Sequence, residues 1–172
     1  AILKNGGNKT VLFRADMDAL PIKEETGISF ESVKTTKQNG MDVPIMHACG
    51  HDVHMTSLIG TAEYFSKNKD SWKGTIVFIL QPAEEIGFGA RQMINAGLFK
   101  KIPYPDINLA LHVSAQTQSG TVHITPGFAM ANVDSVDVTF YGEGGHGAYP
   151  HLTKDPIVMS LSLIHISEPT RQ

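Results

Sequence analysis

The sequence predicts an α/β fold, and three features predict it. G-T-I-V-F-I-L-Q, between Lys73 and Pro82, is an almost wholly apolar run of strand length, the pattern of a central strand buried on both faces. Before it, Met55, Leu58, Ile59, Ala62 and Phe65 recur at helical spacing. After it, I-N-L-A-L-H-V forms another strand, ending in His112. With the compact run T-V-L-F-R at residues 10 to 14, the order is strand, helix, strand, helix, strand, which a sheet covered by helices requires.

Taken in order, the first strand follows the turn-like N-G-G-N and runs into A-D-M-D-A-L-P, where Pro21 stops it. Asp16 and Asp18 share a face there, badly placed for a core and well placed for a site at the carboxyl edge of a sheet. The polar stretch from Glu24 to Asp42 reads as a loop or weak hairpin. M-H-A-C-G-H-D-V-H-M, residues 46 to 55, then holds the sole cysteine, Cys49, two positions before His51. A soft thiolate beside an imidazole suits zinc or a related transition metal. A helix starts at this motif and ends near Lys67. The apolar strand delivers Glu84 and Glu85, and G-A-R-Q-M-I-N-A-G-L-F is a short amphipathic helix stopped near Gly97. From Thr121 the texture changes. V-D-S-V-D-V-T-F-Y, residues 133 to 141, alternates as a strand with one wet face does, so a second, antiparallel domain is expected from about Met130. The expected division is 1–129 and 130–160.

Composition excludes several classes. The 172 residues are 41% hydrophobic and 18% charged with a formal net charge of -3, which suits a soluble globular chain and offers no basic field to nucleic acid. One cysteine forms no internal disulfide, so the cytoplasm is the expected compartment. No run reaches the roughly 18 apolar residues of a membrane span.

The candidate chemistry lies at element ends: Asp16 and Asp18, Glu84 and Glu85, His112, and Cys49 with His51 at a helix start. In an open α/β sheet such ends converge on one crevice. Two successive carboxylates can divide the labour of metal-assisted hydrolysis, one binding metal while the other takes a proton from water and returns it to a leaving amine. Two other motif readings fail on context. G-E-G-G-H-G, residues 142 to 147, matches a dinucleotide fingerprint, but Pro150 and Pro156 follow where an apolar-faced helix should open. A Cys-His nucleophile would need thiol and imidazole in contact from positions two apart, and would leave the carboxylates without a task.

R-A-D-M-D-A-L-P, M-H-A-C-G-H-D, Q-P-A-E-E, L-H-V and G-G-H-G-A-Y-P-H, in that order, resemble the aminoacylase and hippurate hydrolase branch of the M20 metallopeptidases. The resemblance implies a zinc-peptidase-like α/β catalytic domain with a smaller inserted α+β lid. It also implies two divalent metal ions per site, of zinc, manganese, cobalt or nickel, and hydrolysis of N-acyl amino acids or short peptide-like substrates. Carried residue by residue, it makes Cys49, His51, Glu85 and His112 metal ligands and Glu84 the general base. Asp18 matches the aspartate of the family's His-x-Asp motif, with Asp16 where other branches place a histidine. His146, in the lid motif, would touch the substrate or the oxyanion, and the lid can pair two subunits into a homodimer. His47, His54, His123 and His151 are left without a role, as surface residues or supports behind the ligands. The rival reading is a non-catalytic metal-binding or assembly module, which would have no turnover to lose on neutralising Glu84. Residues 161 to 171, L-S-L-I-H-I-S-E-P-T-R, resemble a translated sequencing-library adapter. Residues 161–172 are therefore expected to be a non-native tail and the chain an internal fragment lacking a further ligand histidine.

Overall fold

The structure, a computed structural model, describes residues 1–167. The chain divides into two compact units, residues 1–122 and a second beginning at His123.

The first unit is built on a four-stranded sheet of order β1-β5-β2-β6. Its strands are β1 (Ile2–Asn5), β2 (Thr10–Asp16), β5 (Gly74–Gln81) and β6 (Ile107–Ala110). The apolar run predicted to be central is indeed internal: β5 pairs parallel with β2 and antiparallel with β1. β6 pairs parallel with the other side of β2. Leu12, Ala15, Ile76, Val77 and Phe78 are buried, and the Phe13 and Phe78 rings stack with centroids 5.8 Å apart. Each large side chain so buried contributes roughly 1.5–3 kcal/mol. β1 was not expected from sequence, and it lies across β5 instead of forming a hairpin with β2. The chain doubles back tightly there, because a Cβ on Gly7 would stand 3.0 Å from the Gly74 nitrogen.

Between β2 and β5 come the hairpin β3 (Thr35–Gln38) and β4 (Met41–Pro44), then the long helix α1 (His51–Lys67). The weak hairpin is therefore real. β2 ends at Asp16, five residues short of Pro21. Beyond it Leu20 makes an isolated antiparallel bridge to Met46, with N–H to O distances of 2.9 and 3.1 Å, and this ties the Asp18 segment to the cysteine motif. On α1, His51, His54, Met55, Leu58, Ala62 and Phe65 form the covered face, while Ile59 is exposed despite its apolar character. The predicted amphipathic helix is observed as α2 (Gly89–Asn95), broken by left-handed Gly97 before α3 (Leu98–Lys101). The chain goes from β2 to β5 on one side and later to β6 on the other. This arrangement opens a crevice at the carboxyl ends of the strands.

In the second unit, residues 133–141 pair with no strand among the described residues, contrary to the alternating pattern. Alternation marks one wet and one dry face, but a strand also needs a neighbour to accept its ladder hydrogen bonds, and none lies alongside. The unit holds a bridge between Glu143 and Lys154, a short 3₁₀ turn over Pro150–Leu152, and α4 (Pro156–Ser167). α4 runs unbroken into the stretch set apart as a tail, as its apolar, helix-compatible composition permits whatever its origin. The last five residues of that stretch, 168–172, lie outside the described residues. No helix among the described residues is long and apolar enough to cross a membrane.

Candidate metal centre

Four element ends meet in the first unit: the carboxyl ends of β2 and β5, the segment after β6, and the start of α1. At the amino end of α1, Gly50 adopts φ 77°, ψ 21° and no side chain caps the helix. Glycine suits this left-handed position, where a Cβ costs roughly 1–2 kcal/mol. A Cβ there would also overlap the Val113 side chain. Beyond β5, Ala83 is itself left-handed at φ 49°. Its carbonyl accepts the N–H groups of Phe88 and Gly89 at 3.1 and 3.0 Å, closing the loop that turns Glu84 and Glu85 inward. Such strain is retained where surrounding structure over-determines it.

His51 is the hub. Its side chain is fully buried, yet neither ring nitrogen has a hydrogen-bond partner. Nδ1 stands 3.3 Å from Asp18 Oδ1, another buried atom with no partner. Nε2 faces Glu85 Oε1 at 3.6 Å, Asp16 Oδ1 at 3.8 Å and Glu84 Oε2 at 3.9 Å. On its other side Cys49 Sγ lies 3.5 Å from His112 Nε2. Cys49, His51 and His112 offer ligand atoms within 4.8 Å of one another, and so do His51, Glu84 and Glu85.

These donors fit a metal ion. A buried nitrogen without a partner costs roughly 1–3 kcal/mol; a cation on the lone pair of one His51 nitrogen offsets that cost there and leaves the N–H of the other to a neighbouring carboxylate. Zinc bonds of about 2.3 Å to sulfur and 2.0–2.1 Å to nitrogen in a tetrahedron separate the two ligand atoms by about 3.5 Å. The Cys49–His112 separation matches that value. His112 is also correctly polarised: its Nδ1–H donates to the Val113 carbonyl at 2.7 Å, leaving the Nε2 lone pair for a ligand.

Around the hub the charges are fixed. Asp18 Oδ2 accepts the Glu85 N–H at 3.0 Å. Burial would raise the Asp18 pKa, but hydrogen bonds from the Glu85 and Glu84 amides outweigh it and hold the carboxyl below its ordinary value. Asp16 is likewise pushed up by burial and pulled further down by His54 and by Arg14, which donates to Asp16 Oδ2 at 2.6 Å. Arg14 also stands 3.8 Å from Glu84 and donates to Gln81 at 2.9 Å. Burial and the neighbouring Glu85, Glu84 and Asp16 carboxylates push the Cys49 thiol up. A bound cation reverses that bias and favours the thiolate.

Of the residues expected at the site, Asp18, Cys49, His51, Glu84, Glu85 and His112 are brought together. His146 belongs to the second unit, where it is exposed and its Nδ1 accepts the Ala148 N–H at 3.1 Å. One participant, Arg14, had no assignment, and His54, expected to be either at the surface or a support behind the ligands, is 1% exposed. Its Nδ1 lies 2.5 Å from Asp16 Oδ1. The available signal was spacing, since His51 and His54 at i and i+3 occupy one helix face. His47 contacts the Asp18 carbonyl at 3.3 Å, while His123 and His151 are exposed.

The peptidase family M20/M25/M40 matches residues 12–166. The chain belongs to this family. The M20 match includes the first six residues of the stretch 161–172. Among relatives, the chain is 40% identical over 157 residues to N-acetyldiaminopimelate deacetylase of Leuconostoc mesenteroides, covering 91% of this chain and 38% of that protein. It is 44% identical to thermostable carboxypeptidase 1 of Saccharolobus solfataricus, covering 90% and 37%. A putative aminohydrolase from methicillin resistant Staphylococcus aureus superposes with TM-score 0.65 at 34% identity, over 99% of this chain and 44% of that one. A Bacillus subtilis dinuclear metal binding peptidase from the M20 family superposes with TM-score 0.57 at 38% identity, over 67% and 30%. The M20 chain thus spans about two fifths of the length of the curated relatives it matches.

Proposed function

We propose that the protein containing this chain is a metal-dependent amidohydrolase that cleaves N-acyl amino acids, or short peptide-like amides, into a carboxylic acid and an amine. The observation that carries this is His51: buried, unpartnered at both nitrogens, and set between a thiol–imidazole pair and a pair of carboxylates. Cys49, His51, Glu85 and His112 would hold two divalent ions of the zinc, manganese, cobalt or nickel type. When bound, the ions supply the positive charge that acidifies water and polarises an amide carbonyl. Glu84 would take the proton of the attacking water at a carboxylate oxygen and return it to the amine nitrogen as the C–N bond breaks. With a metal on Nε2, the His51 Nδ1–H would face Asp18 Oδ1, which stands 3.3 Å away, and Arg14, 3.8 Å from Glu84, would restrain that carboxylate. His146 is the candidate donor to the developing oxyanion, and a lid from about residue 130 to 160 is the candidate surface for a homodimer. The deacetylase relatives support an N-acyl amino acid, the carboxypeptidase relatives a peptide. A cytoplasmic location rests on the lone cysteine.

The test is the whole protein, loaded in turn with each ion and assayed on N-acetyl, longer N-acyl and dipeptide substrates. Metal-dependent release of amine is the expected result. Stoichiometric metal binding with no turnover on any substrate would instead identify a non-catalytic binding module.

A second expectation concerns Cys49 in the same protein. Coordination occupies the thiolate, so alkylation should be slow in the loaded enzyme and faster after chelation. An acyl-cysteine trapped during turnover would make Cys49 a nucleophile and end the ligand assignment.

A further inference from the structure

His54 lies one turn behind His51, buried to the same degree, and could be counted with Asp16 and His51 as a third ligand cluster, since their ligand atoms lie within 4.8 Å of one another. Its hydrogen bonds assign it another task. The Val113 backbone N–H points at His54 Nε2 from 2.9 Å, and an amide N–H can only donate, so Nε2 is an acceptor. The ring proton of the neutral imidazole then sits on Nδ1 and is donated to Asp16 Oδ1 at 2.5 Å. No lone pair remains for a metal. His51 presents the opposite case, with both nitrogens unpartnered.

Resting on the metal-centre reading above, we propose that His54 is a positioning residue that fixes the aim of His112 by holding the Val113 backbone. Val113 directly follows His112 and is gripped at two points. Its N–H is held by His54, and its side chain closes over Gly50, where a Cβ would overlap it. Its carbonyl accepts the His112 Nδ1–H at 2.7 Å, which sets the ring so that Nε2 faces Cys49 Sγ at 3.5 Å. The far end of the chain is equally fixed, because Asp16 is anchored by Arg14 at 2.6 Å and Arg14 by Gln81 at 2.9 Å. A line of hydrogen bonds thus runs from β5 and β2 through α1 to a ligand that lies beyond the last strand.

Two measurements on the whole protein test this. With ¹⁵N-labelled histidine and ¹¹³Cd as the probe ion, His51 and His112 should show cadmium coupling, while His54 shows none and keeps its Nδ1 proton. Coupling at His54 would make it a ligand and overturn the proposal. Coupling at no histidine would remove the metal-centre reading itself and this proposal with it. The second measurement uses two variants. His54→Asn keeps a donor for Asp16 but abandons the Val113 N–H, and is expected to weaken Co(II) affinity about 10–100-fold and shift the visible Co(II) spectrum. His54→Gln, whose Oε1 can accept the Val113 N–H, is expected to recover most of both. Wild-type affinity and spectrum in His54→Asn would overturn the proposal. The cadmium experiment decides it alone if that variant does not fold.

Discussion

Glu84→Gln in the whole protein is expected to lower turnover about 10²–10⁴-fold, the contribution of a positioned general base, with metal content nearly unchanged. Glu85→Gln should instead weaken metal binding itself. The two carboxylates stand almost equally far from His51 Nε2, at 3.9 and 3.6 Å, so distance alone does not separate them. Their other neighbours do. Of the carboxylates, Glu85 acts most strongly on the Cys49 thiol, in keeping with the ligand role proposed for it, while Glu84 sits 3.8 Å from the Arg14 guanidinium. An amide keeps the size of either side chain, but glutamine cannot take up a proton and is a poorer ligand than a carboxylate. Metal analysis of both purified variants alongside their turnover numbers decides the matter. Equal metal loss in the pair, or activity surviving in Glu84→Gln, would show the roles to be wrongly divided.

Gly89→Ala is expected to be the most damaging single-methyl change in the first unit. A Cβ at this position would overlap the carbonyl oxygen of Pro82, and the obstacle is backbone, which cannot rotate away as a flexible side chain does. The loop from Pro82 to Gly89 is also closed by two hydrogen bonds to Ala83, so relieving the overlap means moving the segment that presents Glu84 and Glu85. A loss of about 3 kcal/mol, at the upper end for overpacking, should accompany reduced metal affinity. Gly60→Ala in α1 is the control. Nothing lies within 4 Å of a Cβ there, so removing glycine from a helix interior should stabilise by about 0.5–1 kcal/mol. Denaturant unfolding of the two variants should move in opposite directions, and a neutral Gly89→Ala would show that the loop is free to shift.

The parts of this molecule that could be read from the chain were those in which one segment carries the whole signal. β5 announces itself because burial on both faces leaves almost no polar residue between Gly74 and Leu80. The carboxylates, thiol and imidazoles were legible as a set because each ends an element, and strand ends in an α/β sheet share a crevice. What stayed hidden depends on pairs. β1 has no distinctive composition and is a strand only because β5 offers it an edge. Residues 133–141 have the alternation of a strand and no partner among the described residues. His54 was ambiguous for the same reason, since its role is set by the Val113 N–H and by Asp16, which stand 59 and 38 positions away.

The bare start of α1 bears on how the protein breathes. Val53 and His54 donate their N–H groups to the Gly50 carbonyl at 3.0 and 3.3 Å, and no side chain caps the turn. Opening that one turn would let water reach the two unpartnered nitrogens of His51, so without metal a local fluctuation relieves a standing cost. Bound ions reverse the balance, making the same opening more expensive by about 2.7 kcal/mol at a hundredfold excess over the dissociation constant. Amide exchange at Val53 and His54 thus becomes a clock for occupancy: fast in the empty protein, at His54 despite its burial, and slower by about a hundredfold once the ions sit on His51.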